Sequence, residues 1–251
     1  MTQQVTPKFG LYDYINSAIN LKLDCIFIAI PKTGTTSVRK QIRQKGIPWI
    51  KNPHLNIAQA RDLIYPHLLR TTLAKLNDSF PNKNFPTDDS IRRDSRRLFK
   101  RLFKFSAVRN PWARAASLYF RNEGIPMREK ITFDQFCEQH CFASDTCRQP
   151  TLHNNQVDWL VDKTGTIIMD YVYKVEDFNQ AIKEITRKTN NKILLKNQVL
   201  NKNQNSKSSS YRDLYSDRTK KLISKHSQPT HNQLRFTSNI KFWHFRVNPT
   251  H

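Results

Sequence analysis

Leu23-Asp24-Cys25-Ile26-Phe27-Ile28-Ala29-Ile30-Pro31-Lys32-Thr33-Gly34-Thr35-Thr36-Ser37 decides the fold. A short, nearly unbroken apolar run such as 23–30 reads as a strand buried on both faces. Pro31 stops it, and a polar turn follows. Val38 and Ile42 are then spaced for one helix face, and Gly46 with Pro48 closes the helix. The unit is strand, polar loop, helix. Backbone amides at such a helix start can hold an anion. Thr33, Thr35, Thr36 and Ser37 add hydroxyls, Lys32 adds a mobile cation, and Gly34 lets the chain pass close to a ligand. The same residues also read as a Thr/Ser-rich helix cap. Gly34 is followed by Thr35, so no standard Walker A loop is present. The five glycines lie too far apart for G-x-G-x-x-G.

A second unit of the same kind follows. Residues 104–108 read as a buried strand. Asn110 then Pro111 is a helix-start signal, because Asn caps and Pro suits the first helical position. The helix is expected over 112–121. Arg109 thereby falls at the carboxyl end of a strand, where open α/β sheets bind ligands. Ser117 lies two turns into the helix and points back along it. An arginine fork plus a hydroxyl suits a terminal phosphate. Arg114 either joins that site or pairs with an acid across the helix packing.

Elsewhere, 57–76 has helical spacing with Pro66 as the expected break. Residues 77–89, with Pro81 and Pro86, read as a loop. The run 92–104 is strongly basic, with Leu98, Phe99, Leu102 and Phe103 on an apolar side. It reads as a solvated helix face, with a polyanion site as the alternative. Strands are expected at 166–169 and 171–175 and a helix at 178–188. A low-complexity loop is expected at 197–210 and an amphipathic helix at 211–226. The expected fold is α/β, a P-loop-like central parallel sheet flanked by helices. One domain is expected over 1–251, its core at about 21–226.

The 251 residues carry a net charge of +22, from 42 Lys plus Arg against 20 Asp plus Glu. That field draws in polyanions or an anionic cofactor and does not bear on fold. The most apolar run, 25–30, is far too short to span a membrane. Asp13 and Asn16 interrupt the N-terminal apolar stretch, so no signal peptide is read. The expectation is a cytoplasmic protein with no membrane span. Of four cysteines, Cys25 reads as core. Cys137, Cys141 and Cys147 with His140 form no paired Cys-x-x-Cys and read as plain thiols, with a metal site or disulfide as the alternative.

Residues 31–37 and 109–117 together closely resemble the sulfotransferase superfamily. The first looks like its 5′-phosphosulfate loop, the second like its 3′-phosphate motif. Phe105-Ser106-Ala107-Val108-Arg109-Asn110-Pro111-Trp112-Ala113-Arg114 is most similar to the carbohydrate branch, which holds chondroitin and uronyl 2-O-sulfotransferases and bacterial relatives. Asn52-Pro53-His54-Leu55, the segment from His153 to Gln156 with Trp159-Leu160, Tyr173-Lys174-Val175-Glu176-Asp177-Phe178, and the stretch from Ser208 to Tyr215 are similar to further family segments. The basic insert before Phe103 and the stretch 241–247 depart from the pattern. Eukaryotic members carry a membrane anchor that is not seen here, so a bacterial cytoplasmic type is expected.

The resemblance implies 3′-phosphoadenosine 5′-phosphosulfate as co-substrate and a hydroxylated acceptor, expected to be a glycan, with an anionic one in view. Pro31, Lys32, Thr33, Gly34, Thr35, Thr36 and Ser37 would hold the 5′ end of the donor, Arg109 and Ser117 its 3′-phosphate. Lys32 is the expected cation on the leaving phosphate. His54 is the expected base, on positional resemblance, with His153 and Glu176 as fallbacks. Gln156 joins His153 and Glu176 as an expected acceptor contact. No metal is expected. A nucleotide-dependent kinase would use the same strand, loop and helix, but Gly-Lys-Ser and an obvious magnesium carboxylate are missing. A nucleic-acid module would suit the charge and 92–104, but no zinc-finger or RNA-recognition motif supports it, and no nucleic-acid partner is expected.

Overall fold

The computed structural model describes residues 12–77, 86–121, 128–139, 155–197 and 211–227. Its centre is β3 (Cys25–Ile28), every residue of which is buried. Period-two alternation divides the apolar run between two cores. Ile26, Ile28 and Ile30 pack on one face with Ile57, Ala60 and Ile64. Cys25, Phe27 and Ala29 pack on the other with Val38, Ile42, Ala181 and Ile185. Burying one such large side chain contributes about 1.5–3 kcal/mol, which is why the run cannot sit at a surface. Burial, with the charge of Asp24 second, pushes the Cys25 thiol up to about 12, so it is inert core.

The expected α/β architecture is present. Six strands run in the order β4-β1-β2-β3-β5-β6, with β1 at Tyr14–Asn16, β2 at Ile19–Asn20, β4 at Pro48–Ile50, β5 at Phe103–Val108 and β6 at Tyr171–Lys174. The sheet is mixed. β3, β5 and β6 are parallel neighbours, while β1-β2-β3 is an antiparallel meander and β4 joins β1 in parallel. The chain leaves β3 toward β4 on one side and leaves β5 toward β6 on the other. The crevice beyond the carboxyl ends of β3 and β5 is therefore a topological switch point, the usual ligand position in such sheets.

α1 (Thr35–Gln41) follows β3. It ends at Gln41, earlier than Gly46 and Pro48 suggested, and Pro48 opens β4 instead. Buried Asn20 accounts for that end, since its Nδ2 donates to the Ile42 carbonyl at 2.9 Å. The 57–76 helix is two helices, α2 (Ile57–Asp62) and α3 (Ile64–Asn77). The break falls at Leu63, not at Pro66. Pro66 is the third residue of α3, where its missing N–H costs nothing.

α4 (Asp88–Arg101) opens on a Thr87 cap with Asp88 and Asp89 in its first turn. Its exposed Arg93, Arg96, Arg97 and Lys100 share one face at helical spacing. Lys104 does not belong to that basic face. It is 6% exposed within β5, and its ammonium reaches the Leu102 carbonyl and Asp170 Oδ2, each at 2.7 Å.

α5 (Pro111–Tyr119) starts as expected, with Asn110 Oδ1 accepting from the amides of Trp112 and Ala113. It packs with α6 (Phe133–Gln139) and α8 (Asp217–His226) in a third apolar cluster that includes Leu118, Tyr119, Phe133, Phe136 and Ile223. α7 (Phe178–Lys188) matches its expected bounds. Residues 166–169 give only an isolated bridge, Val161 to Ile167. The 211–226 helix is a 3-10 turn, Tyr211–Leu214, followed by α8. The low-complexity stretch lies largely outside the described residues. Among the described residues no helix is long and apolar enough to cross a membrane.

Candidate active site

The loop 31–37 lies in the switch-point crevice, and its shape is imposed from three directions. Gly34 has φ +70, and a Cβ there would stand 2.8 Å from Val175 Cγ2, just past β6. Only glycine fits this approach. Lys32 also has a left-handed backbone, φ +68, which is costly for a residue with a side chain. Two guanidinium groups hold it there. Arg114 Nε donates to the Pro31 carbonyl at 3.0 Å, and Arg109 Nη1 donates to the Lys32 carbonyl at 3.3 Å. Arg114 is 3% exposed, so this bond is made in the interior.

Thr33 is fully buried, and its hydroxyl donates to the Ile30 carbonyl at 3.0 Å. The hydroxyl expected as a ligand donor at 33 is thus spent on closing the loop. Thr36 and Ser37 are half-buried and Thr35 is buried. Their amides head α1, where an α-helix has no carbonyl of its own to offer.

Arg109 is set at the end of β5 by a clamp on its main chain. Gln156 Oε1 accepts from the Arg109 amide at 2.8 Å, and its Nε2 donates to the Arg109 carbonyl at 2.8 Å. Both ends of the Gln156 carboxamide are used on this backbone, so the side chain expected to touch an acceptor instead fixes Arg109. Glu176 Oε1 accepts from the Asn110 amide at 3.0 Å. Burial lowers the pKa of Arg109, against the pull of Glu176 and Tyr211. Ser117 is half-buried on α5. His153 lies outside the described residues.

His54 reaches the same loop from the other side. Asn16 Nδ2 donates to the carbonyls of Ile50 and Asn52, at 2.6 and 2.8 Å, fixing the turn that leaves β4. Asn52 Oδ1 accepts from the His54 amide at 2.9 Å. A capping box between Asn56 and Gln59 then starts α2. The His54 ring Nδ1 lies 2.6 Å from the Ala29 carbonyl. A carbonyl only accepts, so Nδ1 carries the hydrogen and Nε2 holds the free lone pair of the neutral ring. Burial lowers the His54 pKa; the Ala29 bond opposes this, and the charges of Arg39 and Lys32 add to the lowering. The imidazole is neutral at pH 7.

The structure thus brings Lys32, His54, Arg109, Gln156 and Glu176 around one loop. Sequence reasoning missed Arg39, and it left Arg114 between two roles. Among the described residues no group of three or more His, Cys, Asp or Glu could hold a metal ion; Cys141, Cys147 and His140 lie outside them. No curated protein and no solved structure matched the chain. A family model did. Both strand-loop-helix units, and the helices that bury them, fall within residues 22–240, the span over which the chain matches the Sulfotransferase family; the chain belongs to that family and is a transferase of sulfuryl groups.

Proposed function

We propose that the chain moves the sulfuryl group of 3′-phosphoadenosine 5′-phosphosulfate to a hydroxyl of a carbohydrate acceptor. The observation that carries this reading is the reach of Arg109 from the end of β5 to the Lys32 carbonyl in the loop after β3. It joins the two segments that resemble the phosphate motifs of the family. The residues present fit a nucleotide with anionic groups at both ends: a glycine-tight loop with free helix-start amides at one, a guanidinium at the other.

Bound there, the donor supplies an activated sulfuryl group on a phosphate leaving group. Sulfuryl transfer follows the physics of phosphoryl transfer, where positioning and charge stabilisation do most of the catalysis. Lys32 sets a cation against charge growing on the leaving phosphate. Thr35, Thr36 and Ser37 offer amides and hydroxyls to the 5′-phosphate. Arg109 and Ser117 serve the 3′-phosphate, and Gln156 keeps Arg109 in place. His54 Nε2 takes the proton of the acceptor hydroxyl.

Calorimetry with adenosine 3′,5′-bisphosphate, 5′-AMP and ATP tests the donor. The bisphosphate is expected to bind at least ~10-fold tighter than either, as one charge-assisted contact allows. Preference for ATP would bring the kinase reading forward and end this one.

His54→Ala is expected to lower turnover about 10²–10⁴-fold, the usual share of a general base, with bisphosphate affinity unchanged. Because the folded pKa of His54 is lowered, wild-type turnover should stay flat down through the ordinary imidazole value of about 6.5 and fall only below it. Undiminished turnover in the variant would move the base elsewhere.

A second reading, polyanion binding, draws on the exposed cations of α4. The last turn of α4 lies where β3 and β5 begin, since Arg101 pairs with Asp24 at 3.3 Å. That edge is opposite the loop 31–37. The cations of α4 therefore serve a long anionic acceptor strand or a separate ligand, not the reacting centre.

A further inference from the structure

Arg39 is a cation next to the loop that the proposed chemistry does not use. It lies on α1, three and four residues past Thr36 and Thr35. That spacing puts it on the same side of the helix, with its side chain leaning back toward the loop. The neighbouring core positions are taken by Val38 and Ile42, so Arg39 stands at the margin of the core. It is half-buried. Its Nε is shielded from solvent and has no hydrogen-bond partner among the described residues. None of the ion pairs among the described residues includes it.

Among the described residues no carboxylate pairs with Arg39. Burial lowers its pKa, and the neighbour that opposes this is the phenol of Tyr14. The charge of Arg39 is felt at His54, together with that of Lys32. Two cations thus bear on His54, Lys32 from the loop and Arg39 from the helix that follows it. Buried guanidinium N–H groups are ordinarily paired, and this one has no partner among the described residues. A guanidinium is a fork suited to a carboxylate or a sulfate ester.

We infer that Arg39 forms an oxyanion subsite beside the reacting centre, which selects acceptors carrying a carboxylate or sulfate ester next to the hydroxyl that is sulfated. The inference rests on the reading above, in which His54 marks the acceptor side and Arg109 with the loop amides holds the donor. An anion on Arg39 also offsets the two cations that depress His54, and so favours the imidazolium that forms when the hydroxyl gives up its proton. An acceptor of the right charge thus strengthens the base as it binds. A neutral acceptor leaves the arginine unpaired and the base weaker.

Glucuronate and glucose are the probes, an anionic and a neutral sugar. Each is titrated into wild type and Arg39→Gln, with and without adenosine 3′,5′-bisphosphate, while the His54 ring is followed by NMR. Wild type is expected to prefer glucuronate at least ~10-fold, the worth of one charge-assisted contact, and glucuronate alone should raise the His54 pKa. Arg39→Gln should start from a higher His54 pKa, lose the preference and the glucuronate-induced shift, and keep bisphosphate affinity within about twofold. Arg39→Lys, which keeps the charge but not the fork, should recover part of the preference.

Loss of bisphosphate affinity in Arg39→Gln with the sugar preference intact would assign the arginine to the donor and overturn the inference. Absence of any glucuronate preference in wild type would overturn it as well, with or without nucleotide. Failure of the wild type to bind bisphosphate, by contrast, strikes the donor reading, while the nucleotide-free sugar arm still decides on Arg39.

Discussion

Arg109→Ala is expected to weaken binding of adenosine 3′,5′-bisphosphate about 100-fold, roughly 2.7 kcal/mol, and to leave 5′-AMP binding within a few-fold. The selectivity between the two nucleotides should collapse. Truncating one partner of a buried charged pair costs about 2–5 kcal/mol, and here the other partner would be the 3′-phosphate. The fold should survive. Arg109 is half-buried, and the main-chain clamp from Gln156 needs no side chain at 109. Some loosening of the loop is expected, because the bond to the Lys32 carbonyl is lost, and it should act on both nucleotides alike. Calorimetry of both ligands separates the two effects. Undiminished preference for the bisphosphate in the variant would remove Arg109 from the donor site.

Lys32→Ala should be the more damaging change for turnover and the milder one for binding. Removing one preorganised charge-stabilising group typically costs about 10²–10³ in kcat, and a loss of ~10³-fold is expected. Alanine keeps the Cβ, so the left-handed backbone at φ +68 is no more strained than before. Thermal unfolding should shift little. Single-turnover assays with saturating donor read the chemical step directly. Turnover within tenfold of wild type would show that Lys32 is not the cation on the leaving group.

Much of the frame was legible because burial leaves a mark in sequence. The run 23–30 reads as a strand covered on both faces, and Phe27 and Ile28 bear it out by packing into different cores. Asn110 with Pro111 announced a helix start through local chemistry, and the cap is where that chemistry puts it. The outer strands were not legible. β1, β2 and β4 are two or three residues each, too short for a period, and β1 and β2 each carry a buried asparagine.

The site was half visible for a related reason. Loop chemistry is local, so residues 31–37 spoke for themselves. Gln156, Arg114 and Arg39 act through partners distant in sequence or outside the chain, as with Arg114 and Pro31, 83 positions apart. A lone Gln or Arg has no spacing that reports this. Lys104 misled for the opposite reason. It looked like one more cation of a basic run, yet the strand period turns its aliphatic stem inward.

The separation of the two site segments also governs how the protein is made. The bond between Arg109 and the Lys32 carbonyl spans 77 residues. β3 can close its antiparallel meander with β1 and β2 while it leaves the ribosome, since those pairings are local. Its other edge must wait for β5, and translation proceeds at about 5–20 residues per second. For seconds the nascent chain holds its most apolar strand with one row of backbone groups open, the kind of edge that invites unwanted pairing. That edge closes only once residue 108 has emerged, and β5 then waits in its turn for β6.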